Sequence, residues 1–465
     1  QQIIDDLNYQ NSEIIDLEKD GLRIYTSLDF SLQKLAQKSV KKQLIKMQKL
    51  LNRELKNSQI RKDWYNSVKE KYGEQKLIET KKRDVFSWIS DNNNAISLLD
   101  SLWHYYSMLN AAVLITQPQS GRVLTWVGGN NYRYLPYDLV LSKRQVASTI
   151  KPLIYAAGLE KSFVPCDYLS NEVVEYKEFD GWTPQNYDNS SSKDTLVALW
   201  YALANSMNLP TMDLYFQTGH DEVGDMLRRF GLDAPIYETP SIALGAMDVS
   251  LYEMVKAYGV FANDGYIYDD LIMIDRILDS DDNIIYENNI ETPNQIVDTK
   301  IVDQITVILK KAVNEGTGKQ LRNRFGIESD LAGKTGTAQN YSDAWFMVYT
   351  PDIVIGTWVG AMSPEVHFRG GLGSGSALAL PIAGNILSDI ESNGTLQNKY
   401  LSDFDLYYEE SQLIHCDPFF QKGLRGFINR VTEKDDEKKH EVENGEDDEQ
   451  PKTKKKKSGI RKFFD

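Results

Sequence analysis

The chain has 465 residues, enough for two or three domains at about 150 residues each. Hydrophobic residues make up 41% and aromatics 11%, which supplies a large core, while a formal charge of −15 argues against general nucleic-acid binding. Cys166 and Cys416 lie far apart and suit neither a disulfide framework nor a zinc site, so their pairing stays open, and the five scattered histidines offer no H-x-x-x-H pair for a metal. No apolar run approaches the roughly 18 residues of a membrane span, and the start, Gln1 to Asp5, does not read as a signal peptide.

In chain order, residues 1–20 are polar and read as an extended leader. Gly21 to Leu28 alternates like a strand, after which Asp29 or Ser31 can cap a helix. Leu32, Leu35, Ala36, Val40, Leu44, Met47 and Leu51 then recur near every 3.6 residues, one apolar stripe among lysines and glutamines. Residues 52–110 continue helically, with Trp64, Trp88 and Trp103 as packing anchors, so 21–110 reads as a helical linker or pedestal without chemistry. Residues 111–116 and 122–127 flank Pro118-Gln119-Ser120-Gly121, a β-hairpin with turn residues in place. Helices are expected from 148 to about 320, strands at 344–350 and 353–359, and a last helix after Pro381. Strands at both ends with helices between predict an α+β domain over 111–392, its sheet assembled from both ends. Residues 393–430 read as a C-terminal extension, and 431–465, acidic and then basic, as a charged disordered tail.

Three stretches carry chemistry. Ser148 and Lys151 stand three apart where an apolar helix begins, and Pro152 belongs in a first turn, where a missing N–H costs nothing. Residues three apart share a helix face, so hydroxyl and amine can meet. The helix N-terminus favours developing negative charge at Ser148, and an apolar setting lowers the pKa of Lys151 and suits it to act as a base. Ser206 and Asn208 follow a helix marked by Leu196, Leu199 and Leu203 and offer a hydroxyl for proton relay and an amide for a carbonyl. Lys334, Thr335, Gly336 and Thr337 precede the strand pair, with hydroxyls on alternate residues and glycines that admit a ligand to the backbone. Gly333-Lys334-Thr335 is not a phosphate-binding loop, because position 328 is Glu and a strand follows.

Alone, each stretch is a common pattern. The ordered set S-x-x-K, S-x-N and K-T-G-T resembles the penicillin-binding proteins and serine β-lactamases. The closer likeness is to class A penicillin-binding proteins, the bifunctional cell-wall synthases. It is carried further by Gly21 to Asp29, Arg144-Gln145, Trp182 to Tyr187, Glu315 to Gly318 and Asp343 to Phe346, and covers about residues 21–390. The sequence departs at Val146-Ala147, where many members have Pro-Gly, and at Ile150, often Phe.

The resemblance implies an antiparallel sheet with helices on both sides plus a helical subdomain, and a D,D-transpeptidase that cross-links peptidoglycan stem peptides and is inhibited by β-lactams. Ser148 is then the nucleophile and Lys151 the base. Ser206 and Lys334 relay a proton to the leaving amine, and Asn208 holds the donor amide or positions Lys151. Thr335, Gly336 and Thr337 bind the donor end, with the backbone N–H groups of Ser148 and Thr337 as oxyanion hole. No cofactor or nucleic acid is implied. The resemblance places the chain on the extracytoplasmic face of the bacterial membrane, tethered by a segment absent here, with other cell-wall synthesis proteins as partners. The glycosyltransferase signature E-D-x-x-F-x-x-H-x-G does not occur, so this chain is expected not to polymerise glycan. The alternatives are a relative that hydrolyses or senses β-lactams and an inactive scaffold.

Overall fold

The computed structural model describes residues 2–10, 14–88, 95–232, 239–289 and 292–422; the charged tail expected at 431–465 lies outside them. Residues 2–10 form a helix (Gln2–Gln10) rather than an extended leader. Ile3, Ile4 and Leu7 give it an apolar side at helical spacing, and Ile4 is buried.

A five-stranded antiparallel sheet organises the rest. Its strands are β1 (Leu109–Gln117), β2 (Arg122–Val127), β3 (Ala332–Thr337), β4 (Asp343–Tyr349) and β5 (Val354–Ala361), in spatial order β3-β4-β5-β1-β2. The sheet is thus built from both ends of the domain, and β3 is an edge. Every residue of β4 and β5 is buried, because helices cover both faces. That explains their uninterrupted apolar runs, as opposed to the alternation of a half-wet strand. On one face Trp345, Met347 and Trp358 join a core with Ala112 and Leu114; on the other, Ala344, Phe346 and Val348 join Ala111, Val113 and Ile115.

The long helix α1 (Phe30–Leu55) covers the second face. Asp29 caps it by accepting hydrogen bonds from the N–H groups of Ser31 and Leu32. Its stripe, Leu32 to Leu55, belongs to the same core as the sheet, and Arg23–Thr26 pairs with Ile274–Leu278. The reading of 21–110 as a separate pedestal is therefore corrected: its first half is a layer of the sheet domain. Only α2 (Gln59–Tyr72), a short helix (Glu74–Glu79) and α3 (Leu98–Tyr106) form a lateral helical module, in which Trp64 and Trp103 pack edge to face.

The first face carries α4 (Lys151–Glu160), α5 (Leu199–Ala204), α6 (Leu209–Thr218), α7 (Leu251–Phe261) and α8 (Thr299–Asn314); α9 (Leu380–Glu391) lies beside α1. The region 148–320 is less helical than expected. Leu196 lies in a strand (Ser192–Ala198), and Ile274–Leu278 and Ile284–Glu287 form a hairpin around Asp279 to Asn283. Leucines at 196, 199 and 203 mimic a helical period across a strand–helix junction.

The C-terminal segment returns to the domain. Phe419–Gln421 pairs with Ser192–Ala198, and Cys166 and Cys416 form a disulfide. Their separation of 250 residues is large in sequence and absent in space, which composition alone leaves open. A link closing so long a loop contributes about 2–5 kcal/mol. Reduction, or Cys416→Ser, is expected to lower the thermal midpoint by several degrees; a midpoint unchanged under reductant would show that the link is energetically idle.

Candidate active site

The Ser148 segment is held by its neighbours on every side. Val146 N–H donates to Met247 O, the Trp345 indole donates to Gln145 O at 2.9 Å, and the Tyr258 hydroxyl donates to Thr149 O at 2.7 Å. Arg144 lies over the Trp358 ring. Ala147 to Ile150 form a 3-10 turn that leads into α4, with Lys151 its first residue and Pro152 in its first turn. Ala147 adopts φ +52°, so the departure from glycine here puts an alanine in the left-handed region, at a cost of roughly 1 kcal/mol. Ser148 itself is half-buried, and among the described residues its hydroxyl makes no hydrogen bond.

Lys151, three residues on, is fully buried. Its Nζ donates to Ser206 O at 2.9 Å, Met207 O at 3.0 Å and Asn208 Oδ1 at 2.7 Å. Ser206 turns its carbonyl toward this amine by adopting φ +59°. Its hydroxyl accepts from Lys334 Nζ at 2.6 Å, so this one residue touches both lysines. Lys334 is also fully buried and donates to Thr335 O at 3.0 Å. Asn208 donates from Nδ2 to Gln185 O at 2.7 Å, so both ends of its amide are engaged, which favours positioning of Lys151 over a free hold on substrate.

Edge strand β3 lies directly on the 3-10 turn. A Cβ at Gly336 would sit 2.8 Å from Thr149 Cγ2, so only glycine permits this approach. The Thr335 hydroxyl donates to Thr317 Oγ1 at 2.9 Å. The Thr337 hydroxyl oxygen accepts from Gly375 N–H at 2.9 Å, which leaves its proton to donate. All eight residues singled out by sequence thus lie on three segments that meet: the 3-10 turn and α4, the turn between α5 and α6, and β3.

Sequence reasoning gave no role to four supporting residues. Asn186, buried, accepts from the N–H groups of Asn208 and Leu209 and so caps α6. Thr317 and Gly316 press on the turn after α5, with Thr317 N–H donating to Ala204 O. Gly245, at φ +81°, accepts from Ala147 N–H through its own carbonyl. Asn186 and the 316–317 pair fall in stretches that the family likeness had marked, but Gly245 in Ala-Leu-Gly-Ala carries no local signal.

Residues 111–388 match the model of the penicillin binding protein transpeptidase domain, more than half of the chain. This chain belongs to that family. Penicillin-binding protein 1A of Aquifex aeolicus is 29% identical over 401 residues, covering 78% of this chain and 53% of its own length. Penicillin-binding protein 1B of Vibrio cholerae is 32% identical over 261 residues, 54% of this chain and 33% of its own. The chain spans about half the length or less of these curated relatives. Among solved structures, penicillin-binding protein 1A from Haemophilus influenzae superposes with a TM-score of 0.65 at 18% identity, covering 83% of this chain and 68% of its own. The PonA1 protein from Mycobacterium tuberculosis in complex with penicillin V gives 0.60 at 18%, covering 87% and 92%. These two likenesses concern the fold.

The family's paired lysines have an unusual electrostatic setting here. Among the described residues, neither forms an ion pair. Burial, then the nearby charge of Lys334, holds Lys151 well below the usual lysine range, while its three oxygen acceptors favour the ammonium; burial dominates. Burial alone brings Lys334 down to about 7. Between about pH 7 and 10 the unfolded chain therefore holds a proton that folded Lys334 has lost, so stability rises with pH across that window. The slope is at most about 1.4 kcal/mol per pH unit for each such group. Above pH 10 the buried phenols of Tyr155, Tyr258 and Tyr349, all pushed up by burial, reverse it. Denaturant titrations at pH 7 to 9.5 are expected to show this rise and Lys334→Met to lessen it, the remainder belonging to Lys151; an equal slope in the variant would assign the effect elsewhere.

A Cβ at Gly245 would lie 2.0 Å from Ala147 O. Gly245→Ala is expected to cost about 1–3 kcal/mol and to slow reaction at Ser148 by displacing the turn beside it. Unaltered melting and reactivity would show that this contact does not set the turn.

Proposed function

We propose that this chain acts as a peptidoglycan D,D-transpeptidase working through a Ser148 acyl-enzyme. The observation that carries the reading is a fully buried lysine, Lys151, without an acid partner among the described residues, one turn from a half-exposed serine, with the Lys334–Ser206 pair beside it. In this reading Ser148 Oγ attacks the carbonyl of the penultimate D-Ala and its proton passes to Lys151. The tetrahedral oxyanion is received by the backbone N–H groups of Ser148 and Thr337. Collapse breaks the peptide bond, Ser206 passes a proton to the departing D-Ala amine, and Lys334 replenishes Ser206. The amine of a second stem peptide then attacks the ester and regenerates Ser148. Thr335 and Thr337 receive the donor's terminal carboxylate beside Lys334, and the free edge of β3 accepts an extended peptide as an added strand.

The disulfide supports an extracytoplasmic setting, since such bonds persist in oxidising compartments. Peptidoglycan and the membrane surface are the partners this reading supplies. The second reading, a β-lactam hydrolase, needs a base that aims water at the ester. The class A enzymes of that kind resemble one another in an E-x-x-L-N segment. The Leu-Asn pairs here are Leu7-Asn8, Leu51-Asn52 and Leu109-Asn110, preceded three residues earlier by Ile4, Gln48 and Tyr106, none a carboxylate.

A fluorescent penicillin followed over time tests the reading. Labelling is expected at Ser148, absent in Ser148→Ala, slowed about a hundred- to ten-thousand-fold in Lys151→Ala, and persistent once formed. A label mapped to another residue would remove the assignment, and release at many turnovers per second would favour the hydrolase.

A further inference from the structure

A cavity of about 650 Å³ opens in the lateral module between α2 and α3, built from none of the residues assigned to acyl transfer. Lys56, Arg61 and Lys62 line it, and among the described residues none of them forms an ion pair. The one carboxylate on its wall, Asp100, already accepts from the Ser97 hydroxyl at 2.6 Å at the start of α3. The three cations lie in a stretch, residues 34–83, that is rich in lysine and arginine although the whole chain carries −15, and together at one concavity they favour an anionic ligand.

Part of the wall is aromatic and meets the charge at Arg61. Trp64 and Trp103 are half-buried, with centroids 4.8 Å apart and planes at 64°, and Arg61 lies 5.2 Å from the Trp103 centroid. Inclined rings make a corner, not a parallel slot, so they offer apolar faces to the C–H side of a pyranose in place of a sandwich for a flat base. Asn57 and Asn66, both exposed, supply amides for hydroxyl or acetamido groups. The volume falls in the range of sites that enclose a small ligand, about 300–1,000 Å³.

We propose that this cavity binds a carboxylate-bearing amino-sugar chain, the tryptophans receiving the rings and Arg61, with Lys56 or Lys62, the carboxylate. The module is fixed to the sheet. Gln48 on α1 holds Ser107 O and Leu109 N–H at the junction of α3 and β1, and the Tyr106 hydroxyl donates to Glu365 in the loop after β5. A glycan held there has a defined position relative to the cleft.

The test uses the full chain and tryptophan fluorescence or calorimetry. The probe is a peptide-free tetrasaccharide of alternating N-acetylglucosamine and N-acetylmuramic acid, compared with neutral chitotetraose, AMP and tetraglutamate. The muramyl tetrasaccharide is expected to bind, chitotetraose about tenfold more weakly for want of a charged hydrogen bond, and AMP and tetraglutamate more weakly still. Arg61→Gln is expected to narrow the difference between the first two ligands severalfold, and Trp64→Ala to weaken both about tenfold while Trp64→Phe retains most binding. Penicillin labelling of Ser148 should be unchanged in these variants, and prior acylation should leave binding intact. Binding abolished by acylation, affinity for AMP or tetraglutamate equal to that for the muramyl probe, no binding at millimolar concentration, or indifference to Arg61→Gln would each overturn the proposal. Because Ser148 labelling is read separately, failure here is distinguishable from failure of the acyl-transfer reading. Should Trp64→Ala unfold the module, Arg61→Gln decides alone.

Discussion

Two lysine side chains, Lys151 and Lys334, are withdrawn from water in adjacent positions with no carboxylate among the described residues to neutralise either, and much of the surrounding architecture answers that cost. An isolated buried charge is very unfavourable, so the amines must either lose their protons or find dipoles. The fold supplies both routes. Carbonyls of Ser206 and Met207 and the amide oxygen of Asn208 receive Lys151. Those three oxygens converge only because Ser206 takes a left-handed conformation and Asn186 pins the backbone at 208 and 209. A network of this kind is stabilising when every member is satisfied and costly when one is missing. Asn186 therefore supports Lys151 indirectly, through the backbone that carries Asn208.

The second requirement is proximity, and small residues provide it. Gly336 lets edge strand β3 meet the 3-10 turn, and Gly375 fits where a Cβ would lie 2.3 Å from Gly336 O. Gly316 does the same against Ala204 O. Large side chains then lock what the glycines bring together: Trp345 holds the carbonyl of Gln145 just before the turn and Tyr258 that of Thr149 within it. Ser148, the proposed nucleophile, is left out of these locks, with its backbone fixed and its hydroxyl free among the described residues, a preorganised arrangement.

Much of this was legible in the sequence, for physical reasons. The central strands are buried on both faces, so their apolar runs announced themselves, and the 3.6-residue stripe of α1 was equally plain. The three motifs were legible because reacting atoms restrict residue type at fixed spacings. What escaped was set by tertiary contact. Nothing local shows that the stripe of α1 faces β1 and β2, so it read as a pedestal. Gly245 needs its conformation only because Ala147 lies against it, and Cys166 meets Cys416 only because the chain's end returns to the Ser192–Ala198 strand. The left-handed Ala147 runs against its own residue type, and the sequence showed the departure without its conformational cost.

That no carboxylate among the described residues pairs with the two lysines has consequences at both ends of the proposed cycle. Before acylation, a carboxylate would hold Lys151 as an ammonium by charge attraction and take away the lone pair needed to accept the Ser148 proton. After acylation, the same carboxylate would be the group able to orient water toward the ester. A cleft that relies on burial and backbone carbonyls therefore gains a basic amine and at the same stroke withholds help from water. A substrate amine needs less help, because it is intrinsically a better nucleophile than water at neutral pH. In the proposed cycle, a preference for aminolysis over hydrolysis would then follow from how the lysines are buried.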